Sequence, residues 1–132
     1  MKKQIKNIAA FIFLFTPTIA IAAELPKTNS EGDYIGKTGH PFWQVITSDP
    51  NGLSCRMGDM SIDDIVSPSS PPLNINNLPV VTNLEKNQII EASPIPAGFV
   101  LKYDVNKKPW LFITESNCFV PANSQYVKPV NK

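Results

Sequence analysis

The chain reads as a small all-β domain, and three features of its 132 residues predict that class. Aromatic and β-branched residues come in short runs. Proline, asparagine and glycine separate those runs. No stretch beyond the first two dozen residues repeats apolar positions at helical spacing. Such a pattern gives a barrel or sandwich, here of five to seven short strands.

The N-terminus is a separate matter. Lys2, Lys3 and Lys6 precede an apolar run from Ile8 to Phe15, and the small-residue stretch Ala20-Ile21-Ala22-Ala23 follows. That order reads as a secretory signal peptide over residues 1–23, cut after Ala22 or Ala23. The competing reading is an uncleaved anchor. A spanning helix takes about 20 apolar residues, and Pro17 between two threonines interrupts the one candidate. No cysteine stands at the cleavage site, so a lipid anchor is not expected. The expectation is a secreted or periplasmic protein with no membrane span after processing.

Residues 24–41 are polar, carry Gly32, Gly36 and Gly39, and show no apolar period, so they read as a flexible leader. A short edge strand around Tyr34-Ile35 is the alternative. The ordered body runs over residues 42–130. Phe42 to Thr47 is a strand between Pro41 and the Asp49-Pro50-Asn51-Gly52 turn signal. Leu53 to Met57 alternates and stops at Gly58. Residues 59–77 hold three aspartates and Pro68-Ser69-Ser70-Pro71-Pro72, which exclude a regular ladder. They form a long loop, with room for one helical turn at Ser61 to Ile65. Val80 to Thr82 and Ile89 to Ala92 are short strands around a polar turn at Leu84 to Gln88. Phe99 to Tyr103 and Trp110 to Thr114 form a hairpin around Asp104 to Pro109. Cys118 to Val120 is a strand, residues 121–125 a 3₁₀ turn, and Tyr126 to Lys128 a last strand.

Charge narrows the partners. The chain has 12 Lys and Arg against 11 Asp and Glu. Without the three leader lysines the count is nine against eleven, a net charge of −2. Lys107-Lys108 is the only basic pair left, so the cation cluster that nucleic acid requires is missing. Cys55 and Cys118 are the only cysteines, and an even pair in an exported chain reads as one disulfide. A zinc site takes four ligands, and the lone His40 lies in the leader, as would any base for a nucleophilic cysteine. No metal or cofactor is expected.

The body resembles bacterial SH3 (SH3b) domains in a cysteine-containing exported variant. Leu53-Ser54-Cys55-Arg56-Met57-Gly58 is similar to the family's first-strand signature, and Leu84-Glu85-Lys86-Asn87-Gln88 to the segment that opens the middle strands. Pro109-Trp110-Leu111-Phe112-Ile113 resembles the tryptophan-containing central strand. Cys118 to Val127 resembles the closing strand, turn and final strand. The match spans roughly Trp43 to Val130. Asn87 stands where glycine is usual, the loop after Gly58 is longer and richer in proline, and Cys118 replaces a frequent glycine. The resemblance implies an SH3-like barrel and a ligand groove bordered by that loop and the turn before the last strand.

Four aromatic residues are the candidate ligand-binding set. Tyr126 and Tyr103 carry hydroxyls that favour a wet edge, and Trp110 and Trp43 either line the groove or fill the core. Asp59, Asp63 and Asp64 lack the spacing of a calcium loop, and no serine has a nucleophile frame. The expected function is a non-catalytic, monomeric binding module for peptidoglycan or an envelope protein. The alternative is a secreted structural or inhibitory protein that inserts the proline-rich loop into a target. The first calls for a concave aromatic groove, the second for a protruding loop.

Overall fold

The computed structural model describes residues 24–36, 38–61, 64, 70–92 and 101–132. The expected signal peptide lies outside the described residues, as do residues 62, 63 and 65 of the expected helical turn and Pro68-Ser69 of the loop.

Among the described residues eight strands form: β1 (Phe42–Val45), β2 (Leu53–Arg56), β3 (Val80–Leu84), β4 (Ile89–Glu91), β5 (Leu101–Tyr103), β6 (Pro109–Ile113), β7 (Cys118–Pro121) and β8 (Val127–Pro129). The expected count of five to seven is too low: each of the eight short runs marked in the sequence makes its own strand. The strands build two antiparallel sheets, β4-β1-β8 and β3-β2-β7-β6-β5. They do not close into a barrel. A single isolated bridge, Ala92 to Ile113, joins a residue beside β4 to β6. The chain is a two-sheet all-β domain in which the expected closure is missing.

Alternation in the strands sets the core. Leu53 and Cys55 of β2, Leu111 and Ile113 of β6, and Cys118 and Val120 of β7 point to one side of the five-stranded sheet. There they meet Trp43 and Val45 of β1, Ile90 of β4 and Val127 of β8. Cys55 and Cys118 form the expected disulfide in the middle of this layer, with Cα atoms 5.4 Å apart. Both are fully buried.

The other face of the five-stranded sheet is also apolar. Trp110 and Phe112 of β6 and Phe119 of β7 pack against Leu73 and Leu78 from the long loop, with Met57, Met60 and Ile75 at the margin. Every residue of β6 is therefore buried. The loop holds its place by backbone bonds: Leu73 N–H donates to Tyr103 O at 3.1 Å, and Val105 N–H to Leu73 O at 2.9 Å. Ser61 and Asp64 exchange N–H to side-chain oxygen bonds, both 3.1 Å, the reciprocal cap of a helical start. Gly58 lies beneath the returning chain, where a Cβ would sit 2.8 Å from Asn77 O.

Two further expectations change. The 3₁₀ turn falls at Ile75–Asn77, inside the long loop. Residues 121–125 instead finish β7 and enter a turn in which Tyr126 and Val127 both donate to Asn123 O. The leader is not free. Tyr34 is 5 % exposed, packs edge-on against Trp43 with ring centroids 4.9 Å apart, and donates its hydroxyl to Val127 O at 3.1 Å. One buried aromatic and its hydrogen bond hold a segment that composition marks as flexible. The short pairing around Tyr34 takes the form of isolated bridges, Thr28 to Tyr34 and Asp33 to Asn123.

Candidate groove around Trp110 and Tyr126

The described residues of the long loop pack over the Phe112 and Phe119 part of the outer sheet face. Ser54 and Arg56 share that face by alternation, and Trp110 and Pro121 stand opposite each other on β6 and β7. Among the described residues, a concavity of about 880 Å³ opens over them. Ile75 of the loop forms one rim. Thr47, Ser48 and the Asp49 to Gly52 turn form another, and Gln125 and Tyr126 a third. Gly52 makes that turn possible. Its φ is +88°, and a Cβ there would lie 2.4 Å from Leu84 O.

A second concavity of about 330 Å³ continues past the same four residues, Trp110, Pro121, Gln125 and Tyr126. Its far wall is Glu31, Asp33, Asp104 and Lys108. Here the N-terminal arm is clamped. Lys108 Nζ lies 2.7 Å from Glu31 Oε1 and 3.0 Å from Asp33 Oδ2. Asn123 Nδ2 donates to Asp33 Oδ1 at 2.9 Å and to Glu31 O at 3.1 Å. Burial alone pushes the Asp33 carboxyl up, but the Asn123 and Lys108 contacts outweigh it and hold it below the usual carboxylate range. Lys108 is raised, first by Glu31 and then by Asp33.

Asp104 organises the adjoining turn. Its Oδ1 accepts from the Asn106 and Lys108 N–H groups at 2.8 and 2.9 Å, and its Oδ2 from Trp110 Nε1 at 2.9 Å. The indole is thus fixed with its polar atom satisfied, and Trp110 lines both concavities. Arg56 is held more lightly, with Nη1 donating to Leu78 O at 3.0 Å.

Of the four sequence candidates, Trp110 and Tyr126 come together here. Trp43 does not. It is fully buried between the sheets and donates Nε1 to His40 O at 2.9 Å, so it is core. Tyr103 is 39 % exposed on β5 and lines neither concavity. Arg56, Asp104, Lys108 and the arm residues Glu31 and Asp33 were missed. An aspartate opening an Asp-Val-Asn turn six residues before a tryptophan was the one local signal available.

His40 stands elsewhere, with Nε2 at 2.9 Å from Val130 O and its ring edge-on to Trp43. Among the described residues no three His, Cys, Asp or Glu side chains converge on a metal-sized site, and no helix is long and apolar enough to cross a membrane. Comparison of the chain with protein-family models, with curated proteins and with solved structures gives no match. Fold and site together define a disulfide-linked, two-sheet β domain with an aromatic-floored groove.

Proposed function

We propose that the protein is an exported, non-catalytic binding module of SH3b-like character, which recognises cell-wall material or an envelope protein in the groove floored by Trp110 and Tyr126. The observation that carries this reading is the groove itself: an open concavity of about 880 Å³ with a fixed indole and a half-buried tyrosine beside the long loop. Rigid aromatic surface of this kind binds with little loss of rotamer freedom. Export is favoured by the lysine-led apolar N-terminus and by the disulfide, since disulfides persist in oxidising compartments. The lone histidine is spent on Val130 O away from the groove, which favours binding over acid–base chemistry.

The test is retention of the processed protein on purified peptidoglycan, run beside a pull-down from envelope extract. Retention by one of them that is lost on Tyr126→Ala supports the reading. Failure of both, or retention indifferent to Tyr126, overturns it.

A further inference from the structure

The two ends of the groove carry opposite electrostatic demands. At the wide end Arg56 is the only cation. A guanidinium has five N–H donors, and one nitrogen, Nη1, is taken by Leu78 O. Among the described residues no carboxylate lies within ion-pair distance of Arg56. The carboxylate that shares this cavity, Asp49, is exposed and accepts from the Asn51 N–H of its own turn at 2.8 Å. Ser54 stands on the same face of β2 and adds a hydroxyl. At the narrow end Glu31, Asp33 and Asp104 outnumber Lys108, leaving a surplus of negative charge.

Resting on the reading of the groove as a binding site, we propose that Arg56 anchors a carboxylate and that the occupant is a short extended peptide with a free C-terminus, its cationic end lying toward Glu31 and Asp33. The planar guanidinium fork matches a carboxylate in a way a point charge does not. Trp110, Pro121, Gln125 and Tyr126 line both concavities and form the floor between the charged ends. A neutral glycan uses neither end. An acidic glycan satisfies Arg56 and is repelled by the other. A peptide with a free ammonium and a free carboxylate satisfies both.

The probes are random-sequence tetrapeptide mixtures with both termini free, C-terminally amidated, or N-acetylated, beside a neutral and an acidic oligosaccharide. Binding to the whole processed protein is followed by amide and indole chemical-shift changes. Free peptides are expected to shift Trp110, Tyr126 and Arg56 signals, with about tenfold weaker binding on amidation and a smaller loss on acetylation. Arg56→Gln should erase the difference between free and amidated peptides, and Arg56→Lys should restore part of it. Equal binding of free and amidated peptides by the unaltered protein overturns the anchor while leaving the groove reading intact. Arg56-dependent binding of the acidic oligosaccharide alone overturns the peptide. Silence of the groove signals to every probe overturns the groove reading itself.

Discussion

The inner face of the five-stranded sheet packs Leu53, Leu111, Ile113 and Val120 against a second sheet, whereas the outer face packs Trp110, Phe112 and Phe119 against a loop. The inner layer is bonded on both sides by ladders and holds the Cys55–Cys118 disulfide between neighbouring strands β2 and β7 of the larger sheet. The outer layer has ladders on one side only. Its cover is a chain segment held by a few loop bonds and a 3₁₀ turn. Among the described residues the concavity opens on the loop-covered face, with Ile75 of the loop at its margin. With the groove proposed as a binding site, stability and binding fall to opposite faces of the same strands.

The largest expected effect lies on the inner face. Replacing both Cys55 and Cys118 with Ala releases a link across 63 residues of sequence, which on the chain-entropy model costs about 4 kcal/mol. Denaturant unfolding of the double variant measures it. A loss below about 1 kcal/mol would mean that residual structure already restrains the unfolded chain, and the contrast between faces would narrow.

The outer face comes next. Leu73 is 2 % exposed although it lies in a proline- and asparagine-rich segment. Leu73→Ala should cost about 2 kcal/mol, the low end for buried leucine, because a loop relaxes toward a cavity more readily than a strand does. A cost near zero would show that the loop merely rests on the sheet. Gly58→Ala strikes the same contact from below, since its Cβ would press on Asn77 O and the Leu78 side chain, both 2.8 Å away. It should lower stability and raise amide exchange across residues 70–78, with β1 and β8 unaffected.

The strands were legible in the sequence because each depends on its own few residues. Phe42-Trp43-Gln44-Val45 and Trp110-Leu111-Phe112-Ile113 declare themselves between turn residues wherever they stand. Closure was not legible. It depends on which distant edges meet, and β1 pairs with β4 and β8 rather than with its chain neighbour β2. The loop's role was hidden because Leu73 and Leu78 are isolated apolar residues without a period. Tyr34 was hidden in the same way, a single aromatic in a glycine-bearing segment. The groove was half legible. Tyr126 followed from its place after the closing turn, while a lone arginine on a strand gives no signal until its neighbours in the fold are known. Asn87 adopts φ +74° in the turn before β4, and asparagine is among the few residues that tolerate that region.

A smaller effect concerns the arm that walls the narrow end. Asp33 titrates below its ordinary 3.8 when folded, so its contribution is complete above that pH and fades as pH falls through the lowered value. Lys108 titrates above its ordinary 10.5, so its contribution is complete below that pH and fades as pH rises through the raised value. Arm docking should therefore be level between about pH 4 and 10 and weaken outside those limits. Chemical shifts of Tyr34 and Asn123 across a pH series report it. Lys108→Met should flatten the alkaline limb, and a limb unchanged in that variant would assign the effect to another group.

The smallest effect on stability is expected at Tyr126, and it separates the faces most cleanly. Tyr126 is half-buried, touches the margin of the inner core and lines both parts of the groove. Its backbone N–H and that of Val127 close the turn on Asn123 O, bonds that an alanine retains. Removing the ring should thus cost about 1 kcal/mol, a shift of the thermal midpoint by about 5 °C for a domain of this size, while binding in the groove falls at least about tenfold because aromatic anchors dominate such contacts. A collapse of the melt would place Tyr126 with Trp43 in the inner core. The groove would then rest on Trp110 alone, a residue only 9 % exposed. A melt within the expected range together with undiminished binding would remove the ring from the contact surface and move the ligand toward Arg56. Only a small melt shift joined to a large binding loss keeps stability on one face of the sheet and recognition on the other.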